Sequence, residues 1–218
     1  MLNWKKIDTV LLDMDGTLLD LNFDNHFWQE FVPQKYAELH ALSIHEAKQQ
    51  LIPLFKSMEG KLEWYCLDYW SSQLNLDIAG LKAEVAELIA VLPHVVDFLS
   101  AVRAAGKHVM LVTNAHRGSL AIKMEKTCLH TFFDEIVCSH DLGLPKEHPD
   151  FWPIFQARYG FDATTTLFVD DNIAVLNAAK AYGISYLISV SKPDSSRPKR
   201  EITHYPAIED FRDLLPVA

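Results

Sequence analysis

Three apolar residues, Val10, Leu11 and Leu12, run straight into two carboxylates, Asp13 and Asp15, and then into Gly16 and Thr17. A short run with a β-branched member, stopped by a glycine break, predicts a buried strand that ends in a loop. In extended backbone, side chains two apart share a face. A loop after Asp13 would turn Asp15 elsewhere, with Gly16 permitting the turn. Either way, two acids leave a hydrophobic strand together. Burying them unpaired is costly, and each opposes ionisation of the other. The pattern calls for a bound cation; the bland alternative is a polar turn.

The rest of the chain decides what that strand belongs to. From Pro93 onward, helix and strand patterns alternate. Helices are expected over 95–105, closed by Gly106, then 119–128, 149–159 and 173–182, closed by Gly183. Strands are expected over 108–113, 135–139, 165–169 and 185–190. Residues 191–206 read as a solvated loop, and 207–215 as a short closing helix. Residues 18–92 are different: aromatic-rich, with no strand alternation. Four helical runs are expected there: one opening over 25–31, one running from a Ser43-x-x-Glu46 capping box to about 58, and two more over 62–74 and 81–91. The expected fold is α/β: a Rossmann-like parallel sheet core with helices on both faces, formed by 1–17 and 93–218, plus a small α-helical domain at 18–92 inserted after the first strand. At 218 residues the chain can build one such core with a small addition.

Charge and cysteine usage narrow the class. The formal net charge of −9 argues against a nucleic-acid binder and against adsorption to anionic membranes. It does not exclude a phosphorylated small molecule, because a metal ion and a few placed bases invert the local field. Cys66, Cys128 and Cys138 are odd in number and form no C-x-x-C pair, so reduced packing thiols in a cytoplasmic protein are expected. The N-terminal residues show no signal-peptide pattern, and no apolar run is long enough for a membrane span.

In parallel α/β sheets, ligands bind at the carboxyl ends of strands near a switch in strand order. The polar residues of this chain gather at those ends. Asp13 and Asp15 end the first strand, Thr113 and Asn114 the second, and Asp170 and Asp171 the fourth; Lys146 follows the third within Gly143-Leu144-Pro145-Lys146. Carboxylates with one lysine and one threonine suit a Mg²⁺ site that handles phosphate, since Mg²⁺ prefers hard oxygen ligands. A carboxylate can also act as a nucleophile and form an aspartyl-phosphate. A second one can protonate the leaving oxygen and later deprotonate water.

The arrangement resembles the haloacid dehalogenase-like (HAD) hydrolases over nearly the whole chain. The family's D-x-D-G-T stands as Asp13-Met14-Asp15-Gly16-Thr17, its strand-terminal Thr as Thr113, its Lys as Lys146 and its acidic pair as Asp170-Asp171. The helical insert looks like the family's cap. The resemblance implies Asp13 as nucleophile and metal ligand, and Asp15 as general acid/base that ligates metal through its backbone carbonyl. It implies Thr113 and Asn114 as holders of the phosphoryl group, and Lys146 as the bridge between that group and the nucleophile. Asp171 aligns with the metal-binding acid, and Asp170 ranks second, ligating directly or through water. Within the family the chain is most similar to bacterial purine 5′-nucleotidases acting on GMP and IMP. That likeness lies in residues 11–21, in Trp64-Tyr65-Cys66-Leu67-Asp68-Tyr69-Trp70, in Thr-Asn-Ala-His at 113–116 and in Lys-Pro-Asp-Ser at 192–195. The implied activity is Mg²⁺-dependent hydrolysis of a small phosphorylated metabolite.

Rival readings share parts of this pattern. A sugar phosphate phosphatase or a phosphomutase would use the same core, the mutase returning the phosphoryl group to substrate. A dehalogenase would leave Asp15 and the acidic pair without purpose. A phospho-acceptor receiver domain would lack the insert at 18–92, and a silent binding protein would be expected to have lost a motif residue. Trp64, Tyr65, Tyr69 and Trp70 are either packing residues of the insert or a stacking surface for a base. Phe23, Asn25 and His26 either reach substrate or form a hinge. His116 either approaches phosphate or begins a helix. Asp20 and Asp24 are either acids that support the site from behind its ligands or surface acids, and the surface reading is preferred.

Overall fold

The structure, a computed structural model, describes residues 2–217. Five strands carry the core: β1 (Thr9–Leu12), β2 (His108–Thr113), β3 (Glu135–Cys138), β4 (Thr166–Asp170) and β5 (Tyr186–Val190). With the short β6 (Ala207–Ile208) they form a six-stranded sheet in the order β3-β2-β1-β4-β5-β6, parallel at every pairing. β1 is central. The chain builds outward from it through β2 to β3, then returns to β4 on its other side, so the switch in strand order lies at the acid-bearing end of β1.

Both faces of the sheet are covered, and the sequence alternates accordingly. Val10, Leu12, Val109, Leu111, Leu167 and Val169 join the core on one face. There they meet α7 (Val95–Ala104) and α8 (Arg117–Thr127) through Phe98, Leu99, Leu120 and Met124. The intervening residues Leu11, Met110, Val112 and Phe168 pack on the other face. Their partners are Phe151, Trp152 and Phe155 of α9 (Phe151–Tyr159) and Leu176 and Ala179 of α10 (Ile173–Tyr182). A strand buried on both faces must be apolar at consecutive positions, which is why Val10–Leu12 shows no polar alternation.

The segment between β1 and α7 is mainly helical: α1 (Asn22–His26), α2 (Val32–His40), α3 (Ile44–Lys56), α4 (Leu62–Tyr65), α5 (Leu67–Leu74) and α6 (Ile78–Glu84). The chain enters and leaves this segment side by side. Leu19 bridges Val91 in antiparallel fashion, with the Asp20 amide on Ala90 O (2.9 Å) and the Leu92 amide on Leu18 O (2.9 Å). The Ser43 capping box is formed, with Ser43 Oγ accepting from the Glu46 amide and Glu46 accepting from the Ser43 amide.

Several expected elements differ. The helix expected over 25–31 begins at Asn22 and continues into α2 through a π-helical turn at Phe27–Phe31. The single helix expected over 62–74 is broken at Cys66, whose extended backbone ends α4 and whose thiol caps the Tyr69 amide. The helix expected over 81–91 ends at Glu84; a 3-10 turn at Ala86–Leu88 follows, because residues 90–92 are drawn into pairing with 18–20. Pro149 precedes α9 rather than opening it. The expected closing helix over 207–215 is instead β6 and a 3-10 turn at Phe211–Leu214: Ser189 and Ser191 of the β5 edge donate to Pro206 O and Ile208 O, and this edge pairing outweighs local helical preference. Cys138 packs in the core as expected, but Cys128 is exposed in a left-handed turn after α8.

Candidate active site

The Asp13–Thr17 loop owes its path to Gly16. Its φ of +82° lies in the left-handed region, and a Cβ there would sit 2.7 Å from the Asp171 carboxyl carbon. Glycine is therefore required twice, by backbone and by space. The turn is closed by the Leu18 and Leu19 amides on Met14 O and by the Gly16 amide on Leu19 O. Thr17 Oγ1 accepts from the Asp171 amide at 3.1 Å, which ties the end of β1 to the end of β4.

Three carboxylates meet at those strand ends. Asp13, Asp170 and Asp171 are buried, and one oxygen from each lies within 4.8 Å of the others. Lys146, only 2% exposed, spans two of them: its Nζ donates to Asp13 Oδ1 (2.5 Å), Asp170 Oδ2 (2.7 Å) and Val112 O (3.0 Å). Asp170 Oδ1 accepts from the Asn172 amide, and Asp171 Oδ2 accepts from Arg200 Nη2 at 3.0 Å. Burial raises the Asp13 carboxyl to about 6 against the pull of Lys146. Burial, with the charge of Asp171, raises Asp170 to about 6, and burial with the charge of Asp13 raises Asp171 to about 7. Burial alone would lower the Lys146 ammonium, but Asp13 and Asp170 outweigh it and hold it above its ordinary value. Negative charge exceeds local compensation, and the donors are all hard oxygens. This set fits a hard divalent cation.

The other residues singled out by sequence surround this centre. Thr113 is buried; its Oγ1 accepts from the Ala115 amide, leaving the hydroxyl hydrogen free to donate. Asn114 Oδ1 accepts from the Lys146 amide, and its Nδ2 donates to Glu147 Oε2 at 2.8 Å. Asp15 turns away from the triad. Its Oδ1 accepts from Lys123 Nζ at 2.6 Å. Burial raises the Asp15 carboxyl to about 6 despite that lysine. His116 begins α8, accepting from the Gly118 amide through Nδ1.

A cleft of about 820 Å³ opens above these groups, with Asp13, Asp171 and Lys146 at one end and Trp28, Phe55, Trp64 and Trp70 along the helical segment. Those aromatics pack edge to face, Phe55 on Trp70 at 5.0 Å and Trp28 on Phe55 at 5.5 Å. Trp70 is buried, while Trp64 keeps partial exposure. Tyr65 reaches the core side, donating to Glu147 at 2.8 Å. Asn25 lines the cleft and donates to Asp194 at 2.6 Å.

Asp20 and Asp24 are not surface acids. Asp20 is buried and accepts from the Asn22 and Ser195 amides. Asp24 accepts from Lys82 and Lys123, each at 2.6 Å. Burial alone would raise its carboxyl, but the two lysines hold it well below the usual carboxylate range. Sequence reading passed over Lys82, Lys123 and Glu147, and placed Arg200 in a solvated loop. A signal existed for two of them. Lys123 lies three residues after Leu120, and Lys82 four after Ile78, so each sits on the apolar face of its helix.

The chain is similar to known proteins over most of its length. The family model described as haloacid dehalogenase-like hydrolase matches residues 7–183. The GMP/IMP nucleotidase YrfG of Escherichia coli is 41% identical over 213 residues, covering 98% of this chain and 96% of that relative. A phosphoglycolate phosphatase of Salmonella typhimurium is 32% identical over 145 residues, covering 61% and 53%. The crystal structure of a HAD phosphatase from Thermococcus onnurineus shares the fold with a TM-score of 0.79 at 20% identity, covering 95% of this chain and 96% of that one.

Proposed function

The chain belongs to the haloacid dehalogenase-like hydrolases, and from that membership we propose a Mg²⁺-dependent phosphomonoesterase that acts through an aspartyl-phosphate on a purine nucleoside 5′-monophosphate such as GMP or IMP. One observation carries the chemistry: Lys146 bridges Asp13 and Asp170 at the floor of a cleft, with Asp171 completing a buried acidic triad. The substrate class rests on the 41% identity to the E. coli nucleotidase along nearly the full length of both chains.

Asp13 is the proposed nucleophile. Its carboxylate oxygen attacks phosphorus, and the ester P–O bond to the leaving alkoxide breaks. Asp15 gives that alkoxide its proton, then accepts one from the water that hydrolyses the aspartyl-phosphate. Lys146 neutralises charge between nucleophile and phosphoryl group. The free Thr113 hydroxyl hydrogen and Asn114 Nδ2 hold phosphoryl oxygens, Asn114 exchanging its bond to Glu147 for the substrate. Asp13 and Asp171, with Asp170 and the backbone carbonyl of Asp15, would hold Mg²⁺. When bound there it supplies positive charge that lets a carboxylate approach a phosphate dianion. Residues 18–92 act as a cap on the core formed by 1–17 and 93–218, closing the cleft from the helical side. The chain is taken to work in the cytoplasm on a small metabolite, without nucleic acid or membrane.

The test is phosphate release from GMP, IMP, AMP, CMP, phosphoglycolate and glucose 6-phosphate, with Mg²⁺ and with chelator. Selective Mg²⁺-dependent release from GMP and IMP is expected. Selective release from phosphoglycolate or glucose 6-phosphate would discard the nucleotide assignment. Release that persists in chelator would discard the metal site.

A further inference from the structure

Two buried cations have no part in the reaction as described. Lys82 and Lys123 are 2% and 1% exposed. Lys123, on the core helix α8, donates at 2.6 Å both to Asp15 Oδ1 and to Asp24 Oδ2. Lys82, on α6 and 58 residues from Asp24, donates to its other oxygen at 2.6 Å. The result is an alternating chain, Asp15–Lys123–Asp24–Lys82, with two positive and two negative groups. Phe23 lies under both ammonium groups, at 4.8 Å from Lys82 and 5.2 Å from Lys123, and Phe27 lies 4.8 Å from Lys82. Desolvating four charges is expensive, and apolar residues of similar volume commonly serve stability as well or better. Stability is therefore a weak reason for such a chain. Its end on Asp15 is a stronger one.

We propose that Lys123 is a positioning residue for Asp15, fixing its carboxylate for proton transfer, and that Asp24 and Lys82 couple this orientation to the helical segment. The proposal rests on Asp15 being the general acid/base. Asp15 stands in a loop, where its side-chain torsions are free unless something holds them. Lys123 holds one oxygen from the core side. Asp24, on α1, fixes Lys123 in turn, and Lys82 fixes Asp24 from α6. Helices at both ends of the 18–92 segment thus meet the core at this point, beside the paired entry and exit strands at 18–20 and 90–92. The acid is held in its working orientation when the segment sits over the core, and loses that support when it swings away. Small displacements of a proton donor are costly in rate, on the order of 100-fold.

The experiment compares kcat/KM for GMP, which loses an alkoxide and needs an acid, with that for p-nitrophenyl phosphate, which loses a stable phenolate and does not. For K123M, the loss on GMP is expected to be about 100-fold and that on p-nitrophenyl phosphate under about 10-fold. K82M, one link further, is expected to show the same skew at about 10-fold. K123M leaves an uncompensated buried carboxylate, so the electroneutral D24N/K123M carries the measurement if the single variant does not fold. Equal losses on the two substrates would mean a purely structural role and overturn the proposal. D15N, run alongside, separates the two levels. A skewed D15N with unskewed Lys123 variants overturns the relay alone; an unskewed D15N removes the acid/base reading and the relay with it.

Discussion

Gly16 shows how tightly single residues define this site. A methyl group there would meet the Asp171 carboxylate while the backbone stays left-handed. Gly16→Ala is expected to lower the unfolding free energy by about 1–3 kcal/mol and to remove activity; an unchanged urea midpoint with full turnover would contradict that. Asp13→Asn should abolish turnover without lowering Tm appreciably, since Asp170 keeps Lys146 paired and one repulsive charge is gone. His140 gives a pH signature. Burial, reinforced by the charge of His116, pushes its imidazole from 6.5 down to about 4, and its Nε2 is buried without a partner among the described residues. Between those values the unfolded chain binds a proton that the native state refuses. Its contribution to stability is therefore intact above pH 6.5 and lost as pH falls toward 4. His140→Gln is expected to flatten the fall in stability over that window; equal slopes for variant and wild type would rule the effect out. The motif residues themselves were legible because Asp13, Thr113, Asp170 and Asp171 stand at the ends of apolar runs and Lys146 in the loop that follows one. Asp24 was not, because a single acid in a helical segment gives no hint of two lysines that arrive from α6 and α8.

Elements were legible where burial and local preference agree. The five core strands are short apolar runs bounded by turn residues, and their bounds came within a residue or two. Capping chemistry set the start of α3, and Ser43→Ala should cost about 0.5–2 kcal/mol in urea unfolding with kcat unchanged; no loss would mean that the exposed cap contributes nothing. Elements were misread where tertiary pairing wins. Helical spacing across 62–74 is genuine, yet Cys66 adopts an extended backbone and splits the run into α4 and α5. Residues 207–208 were drawn into the sheet because β5 would otherwise present an unpaired edge. The π-helical turn at Phe27–Phe31 lets α1 and α2 continue through the segment with Phe27 buried; no periodicity of 3.6 foretells it.

At the scale of the whole molecule, the strand order explains why residues more than 150 apart in sequence share one site. The central position of β1 puts Asp13 between the ends of β2 and β4, so Thr113, Asp170 and Asp171 arrive from either side. That convergence follows from the α/β pattern and was legible in the sequence. The shape of the cleft was not, because it depends on how six helices of one segment lie against the core. In the proposed reaction Asp13 carries the phosphoryl group between substrate and water. The most direct test is peptide mass spectrometry of the Asp15→Asn variant after brief mixing with Mg²⁺ and p-nitrophenyl phosphate, whose leaving group needs no acid while the missing base slows hydrolysis. A phosphoryl group on Asp13 in that variant, absent from Asp13→Asn, is the predicted result. Turnover with no phosphorylated peptide, or with the label on another residue, would contradict it.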